Sequence, residues 1–124
     1  MVRFRGLDHV VFTVADAERS IEWYGTVLGA EPERVEAWRR GEVPFPSVRL
    51  TDTVIIDLFT GERSGTNVDH IALVVDDDVD ELAASGRFEV LEGPARRWGA
   101  QGDGRSIYVP DPDGNVIELR NYPA

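Results

Sequence analysis

Two stretches of this chain spell the same pattern. "GLDHVVFTVADAERSIEWY" opens at Gly6 and "NVDHIALVVDDDVDELAAS" opens at Asn67. In each, an Asp-His pair leads into a run of Val, Ile, Leu and Phe, and an acidic segment then starts a helical pattern. His9 and His70 are 61 positions apart, and the same shift lays Asp57 of "VIIDLF" on Glu118 of "NVIELR". An internal repeat constrains the fold more than any composition, because each half must be one supersecondary unit.

The two halves have the same local grammar. Residues 7–14 read as a strand, rich in Val and Phe, with His9 inside it. Asp16 suits a helix N-cap, Ile21, Tyr24, Val27 and Leu28 fall at helical spacing, and Gly29 suits the C-cap. Residues 33–40, 47–51 and 53–59 read as three strands. In the second half, 68–75 reads as a strand, 78–85 as a short helix ended by Gly86, and 87–92, 104–109 and 115–120 as strands. "DPDG" before the last strand is turn chemistry, since Pro fixes φ and Gly permits φ > 0. The expectation is β-α-β-β-β, twice. Between two of these strands, "EGPARRWGAQGDGRS" (92–106) holds four of the twelve Gly and three Arg, and reads as a mobile loop.

Composition excludes several kinds of chemistry. There is no Cys, hence no disulfide, thiolate nucleophile or Cys-based zinc site. All thirteen basic residues are Arg, which removes a Schiff-base lysine or a lysine-bearing phosphate loop. A net charge of -10 opposes nucleic-acid binding. No apolar run is long enough to span a membrane, and "MVRFRGLDH" lacks the apolar core of a signal peptide, so the expected address is cytoplasmic. The 124 residues suit one domain with a first module at about 5–60 and a second at about 66–122.

One residue resists a purely structural reading. Glu118 sits between Ile117 and Leu119 in a strand, where an uncompensated carboxylate is expensive to desolvate. Ser106 and Tyr108, two residues apart, share a strand face, although parity alone does not say which. Arg96, Arg97 and Arg105 border the Gly-rich segment and read either as surface charges or as donors to an anionic substrate.

The paired "DH" openings, the duplicated pattern and the closing "DPDGNVIEL" together resemble the vicinal oxygen chelate superfamily, which includes glyoxalase I, extradiol dioxygenases, methylmalonyl-CoA epimerase, and fosfomycin- and bleomycin-resistance proteins. The likeness spans essentially the whole chain. It implies an α+β fold in which two βαβββ modules form a curved, incomplete barrel-like mixed sheet with a central cleft, in a homodimer. It further implies that His9, His70 and Glu118 hold one divalent metal ion (Zn, Ni, Mn or Fe), so that Glu118 faces a cation. Asp57 stands where glyoxalase I carries a fourth ligand, and is either that ligand, a base, or a solvated strand acid; Glu118 is the other candidate base.

The function this resemblance implies is metal-dependent lyase or isomerase chemistry on a small molecule with vicinal oxygens. A short extradiol-type dioxygenase and a metal-free, ligand-sequestering protein of the bleomycin-resistance kind are the alternatives. Ser106, Tyr108 and Arg105 are the candidate substrate contacts, the first two because fosfomycin-resistance proteins carry Ser and Tyr at similar positions. Fosfomycin modification itself is disfavoured, since the downstream Arg and the loop Lys of those proteins have no counterpart here.

Overall fold

A computed structural model describes residues 1–112 and 114–123. Among them are eight strands and three helices, in the order β1 (Phe4–Val14), α1 (Ala17–Leu28), β2 (Glu31–Glu33), α2 (Val35–Arg39), β3 (Ser47–Thr51), β4 (Val54–Thr60), β5 (Val68–Val75), α3 (Val79–Ala84), β6 (Glu92–Gly99), β7 (Gly102–Pro110) and β8 (Val116–Asn121). The class is α+β. No helix among the described residues is long and apolar enough to cross a membrane. The chain divides into two compact units, Val10–Asp69 and Met1–His9 with His70–Ala124.

In the unit Val10–Asp69, β3 pairs antiparallel with both β2 and β4. The Asp16 side chain accepts from Arg19 N at 3.1 Å and starts α1, and Gly29, left-handed at φ 76°, ends it. Helix α1 lays Ile21 and Tyr24 on a core of Ala30, Val35, Val48 and Leu58. The strand expected at 33–40 is a three-residue strand followed by the short helix α2. Val35 and Trp38, three residues apart, both reach that core, a spacing that fits one face of a helix and not of a strand.

In the other unit, β5 runs parallel to β8, and β8 and β7 and then β7 and β6 pair antiparallel. The Asp78 carboxylate caps α3 through Asp80 N and Glu81 N. Val79 and Leu82 of α3 pack on Val75, Ile107, Val109 and Leu119, all buried. Each such side chain contributes about 1.5–3 kcal/mol when fully withdrawn from water. The strand expected at 87–92 begins only at Glu92, and the segment read as a mobile loop is a β6–β7 hairpin turning at Ala100 and Gln101. At the "DPDG" turn, Gly114 (φ 85°) donates to Asp111 O at 3.0 Å; Asp113 lies outside the described residues.

Register decides which side chains share a face. Leu73 and Val75, Ile107 and Val109, and Ile117 and Leu119 belong to the core under α3. The alternate residues point the other way: Ala72 stands opposite Glu118 across β5–β8, and Tyr108 opposite Glu118 across β7–β8. His70, two residues before Ala72, shares that face.

Candidate metal centre

Three acceptor-bearing side chains meet on this second face. His70 Nε2 lies 3.0 Å from Glu118 Oε1, His9 Nε2 lies 3.2 Å from the same oxygen, and the two ring nitrogens are 3.3 Å apart. All three residues belong to one unit and are strongly withdrawn from solvent; the His9, His70 and Glu118 side chains are 3, 10 and 1% exposed. Glu118 therefore points neither at the apolar core nor at bulk water.

The protonation of His9 follows from its neighbour. Asp8, fully buried, accepts from His9 Nδ1 at 2.7 Å, from Ala100 N at 2.9 Å and from Tyr122 Oη at 2.5 Å. A carboxylate holding these donors keeps a proton on Nδ1, so the nitrogen that His9 turns to the triad is Nε2, which offers a lone pair once that atom is deprotonated. On the opposite side, Glu118 Oε2 accepts from Ser106 Oγ at 2.8 Å and from Arg120 Nη1 at 2.7 Å, leaving Oε1 for the two rings.

The electrostatics agree with the geometry. Burial acts to raise the Glu118 pKa, but hydrogen bonds from His70 and His9 and the positive charge of Arg120 outweigh it and hold the carboxyl well below the usual range. Asp8 is likewise lowered: burial opposes, and the bonds from His9, Ala100 and Tyr122 prevail. Tyr108 packs edge-on against His70 at a centroid distance of 5.4 Å. Burial, then the Glu118 charge, raises its phenol, so Tyr108 stays protonated.

The arrangement fits a divalent cation. Two ligand atoms about 2.1 Å from one ion lie about 3.0 Å apart at a right angle and about 3.4 Å apart at a tetrahedral angle. The observed separations of 3.0, 3.2 and 3.3 Å fall inside that interval. Two imidazoles and one carboxylate form a donor set with positions left over for water or substrate. Among the described residues this is the group of His and carboxylate side chains close enough to share an ion.

The other residues singled out in the sequence lie as follows. Ser106 and Tyr108 adjoin the triad. Arg105 is half-exposed and forked onto Asp80 at 2.6 and 2.9 Å, beside a groove of about 490 Å³ also lined by Asp78, Arg96 and Asp103. Asp57 belongs to the other unit, where it is buried on β4 and accepts from Ser47 Oγ at 2.5 Å. A serine–acid bond is thus present in both halves, although the 61-residue shift lays Ser47 on Tyr108 and not on Ser106. Sequence reading also missed Asp8, Arg120 and Tyr122. The signal for the last two was present, because Glu118, Arg120 and Tyr122 alternate along β8 and the residue that follows it.

The model of the Glyoxalase/Bleomycin resistance protein/Dioxygenase superfamily matches residues 6–119. The chain belongs to this superfamily. Among curated members, it is 30% identical over 122 residues to the virulence protein STM3117 of Salmonella typhimurium, covering 94% of this chain and 83% of that one. It is 28% identical over 116 residues to the fosfomycin resistance protein FosX of Mesorhizobium japonicum, covering 92% of this chain and 84% of that one. A structure of the Mn(II)-bound glyoxalase from Novosphingobium aromaticivorans aligns at TM-score 0.69 and 24% identity over 98% of this chain and 40% of that one, a likeness of fold.

Proposed function

We propose that this superfamily member is a metal-dependent enzyme performing lyase or isomerase chemistry on a small molecule with vicinal oxygens. The observation that carries the reading is the convergence of His9 Nε2, His70 Nε2 and Glu118 Oε1 within 3.3 Å of one another. These three residues would hold the ion, which when bound acts as a Lewis acid on substrate oxygens. With Glu118 Oε2 engaged by Ser106 and Arg120, Glu118 suits a ligand better than a base. Tyr108, a protonated phenol at the edge of the triad, is the proposed donor to a substrate oxygen. Asp57 is proposed from the repeat as the fourth ligand or the base. The proposed assembly is a homodimer in the cytoplasm; Arg105, held by Asp80, is a weaker candidate for substrate contact.

Elemental analysis of protein purified with divalent metals present tests the reading. About one equivalent of metal per chain is expected, and its loss in His70→Ala. A metal-free chain that nonetheless retains small aromatic or cationic compounds identifies a sequestering protein instead. If Asp57 is a ligand, Asp57→Ala weakens metal binding; if it is a base, metal content is unchanged while turnover falls.

A further inference from the structure

Behind the triad lie two opposite charges with no access to solvent. Asp8 and Arg120 are both 0% exposed, and Arg120 Nε stands 3.8 Å from Asp8 Oδ1. A buried ion pair is a poor source of stability, because desolvating both groups consumes most of their attraction. Its presence calls for another reason, and each member touches a different ligand. Asp8 holds the His9 ring, and Arg120 holds Glu118 Oε2. Tyr122 joins them: its hydroxyl bonds to Asp8, and its ring lies under the Arg120 guanidinium at 4.6 Å.

The β6–β7 hairpin is shaped around this pair. Arg120 Nη2 donates to Arg97 O at 3.1 Å and to Gly102 O at 3.4 Å, while Ala100 N donates to Asp8. A Cβ added at Gly99 would stand 2.6 Å from Arg120 Cζ, and one at Gly104 would stand 2.8 Å from Arg120 Nη2. The Gly-rich composition that read as a loop is therefore a slot for one guanidinium.

We propose that Asp8 and Arg120 are positioning residues for the metal site, preset by the hairpin. Asp8 locks His9 with Nε2 turned to the ion. Arg120, with Ser106, occupies Glu118 Oε2 and restricts Glu118 to binding through Oε1 alone. The inference rests on the metal reading above, and it assigns the two residues a role distinct from stability. Partners behind metal ligands commonly change affinity by about 10–100-fold.

Mn(II) titration of chelator-stripped full-length protein tests this, alongside ¹⁵N NMR of the histidine rings without metal and thermal unfolding of the same metal-free samples. In unaltered protein the His9 ring carries its proton on Nδ1. Asp8→Asn is expected to lose that preference and to bind Mn(II) about 10–100-fold more weakly. Arg120→Lys keeps the charge but loses the fork, and is expected to weaken Mn(II) while leaving the His9 tautomer unchanged. Should Asp8→Asn fail to fold, Tyr122→Phe, which removes one bond to Asp8, is expected to weaken Mn(II) by about threefold, the worth of one modest hydrogen bond. Unaltered protein that binds Mn(II), with folded variants binding within twofold of it, overturns the positioning role and leaves the metal reading standing. Unaltered protein that binds no divalent metal overturns both.

Discussion

The consequence of a carboxylate in this protein depends on what stands beside it. Glu118 and Asp8 are buried and multiply bonded, whereas Asp80 is exposed and has a single fork from Arg105. The hydrogen bond from Arg105, aided by its charge, lowers the Asp80 pKa against the opposing effect of burial. Because the folded value lies below the ordinary one near 3.9, the pair's contribution is fully present above about pH 4 and disappears as pH falls through the lowered value. NMR titration of the Asp80 carboxyl carbon should give a depressed midpoint that returns to the ordinary range in Arg105→Ala. An unchanged midpoint would mean Arg105 is free in solution to meet an anionic substrate. At the triad, Ser106→Ala removes one of the bonds to Glu118 Oε2 and should weaken metal binding while His70→Ala abolishes it. The candidate ligands were legible because one shift related His9 to His70 and Asp57 to Glu118. Asp8 was not, because its repeat counterpart Asp69 is exposed, and Arg120 was marked only by standing two residues from Glu118.

Secondary elements were readable where local rules act alone. Helix α1 runs between the residues expected to cap it, Asp16 and Gly29, and Asp16→Ala should cost about 1 kcal/mol by chemical denaturation. The β6–β7 hairpin was not readable, because glycine weakens a strand and normally marks a break. Here glycine is required by a side chain arriving from β8, a contact no local window contains. A methyl group at Gly104 would meet Asn121 O at 2.4 Å as well as Arg120. Gly104→Ala is therefore expected to destabilise by about 1–3 kcal/mol and to weaken metal binding. A full-strength site in a stable Gly104→Ala protein would show that the slot is wider than it looks. Helix α2 illustrates the opposite error: its five residues are too few for periodicity to separate helix from strand.

At the scale of the molecule, the proposed metal binding would be linked to folding. An ion that binds only the folded chain stabilises it by mass action, so Mn(II) at a hundred times its dissociation constant should raise the melting temperature by about 10 °C. The His70→Ala protein should show no such rise. Light scattering should give twice 13.8 kDa if the homodimer is correct, and the exposed Trp23, Val27 and Leu28 on α1 are the apolar surface whose replacement by polar residues tests where the copies meet. The acidic balance of -10 gives that assembly charge repulsion to overcome, which added salt should relieve.

The two Asp-His pairs are twins in spelling and strangers in circumstance. Asp8 is sealed inside and clasps its histidine, while Asp69 is exposed and His70 lies beside Tyr108. One imidazole is therefore an anchored post, and the other sits nearer the solvent with an aromatic companion. Newcomers to the site would be met from the His70 flank, giving a duplicated framework a front and a back.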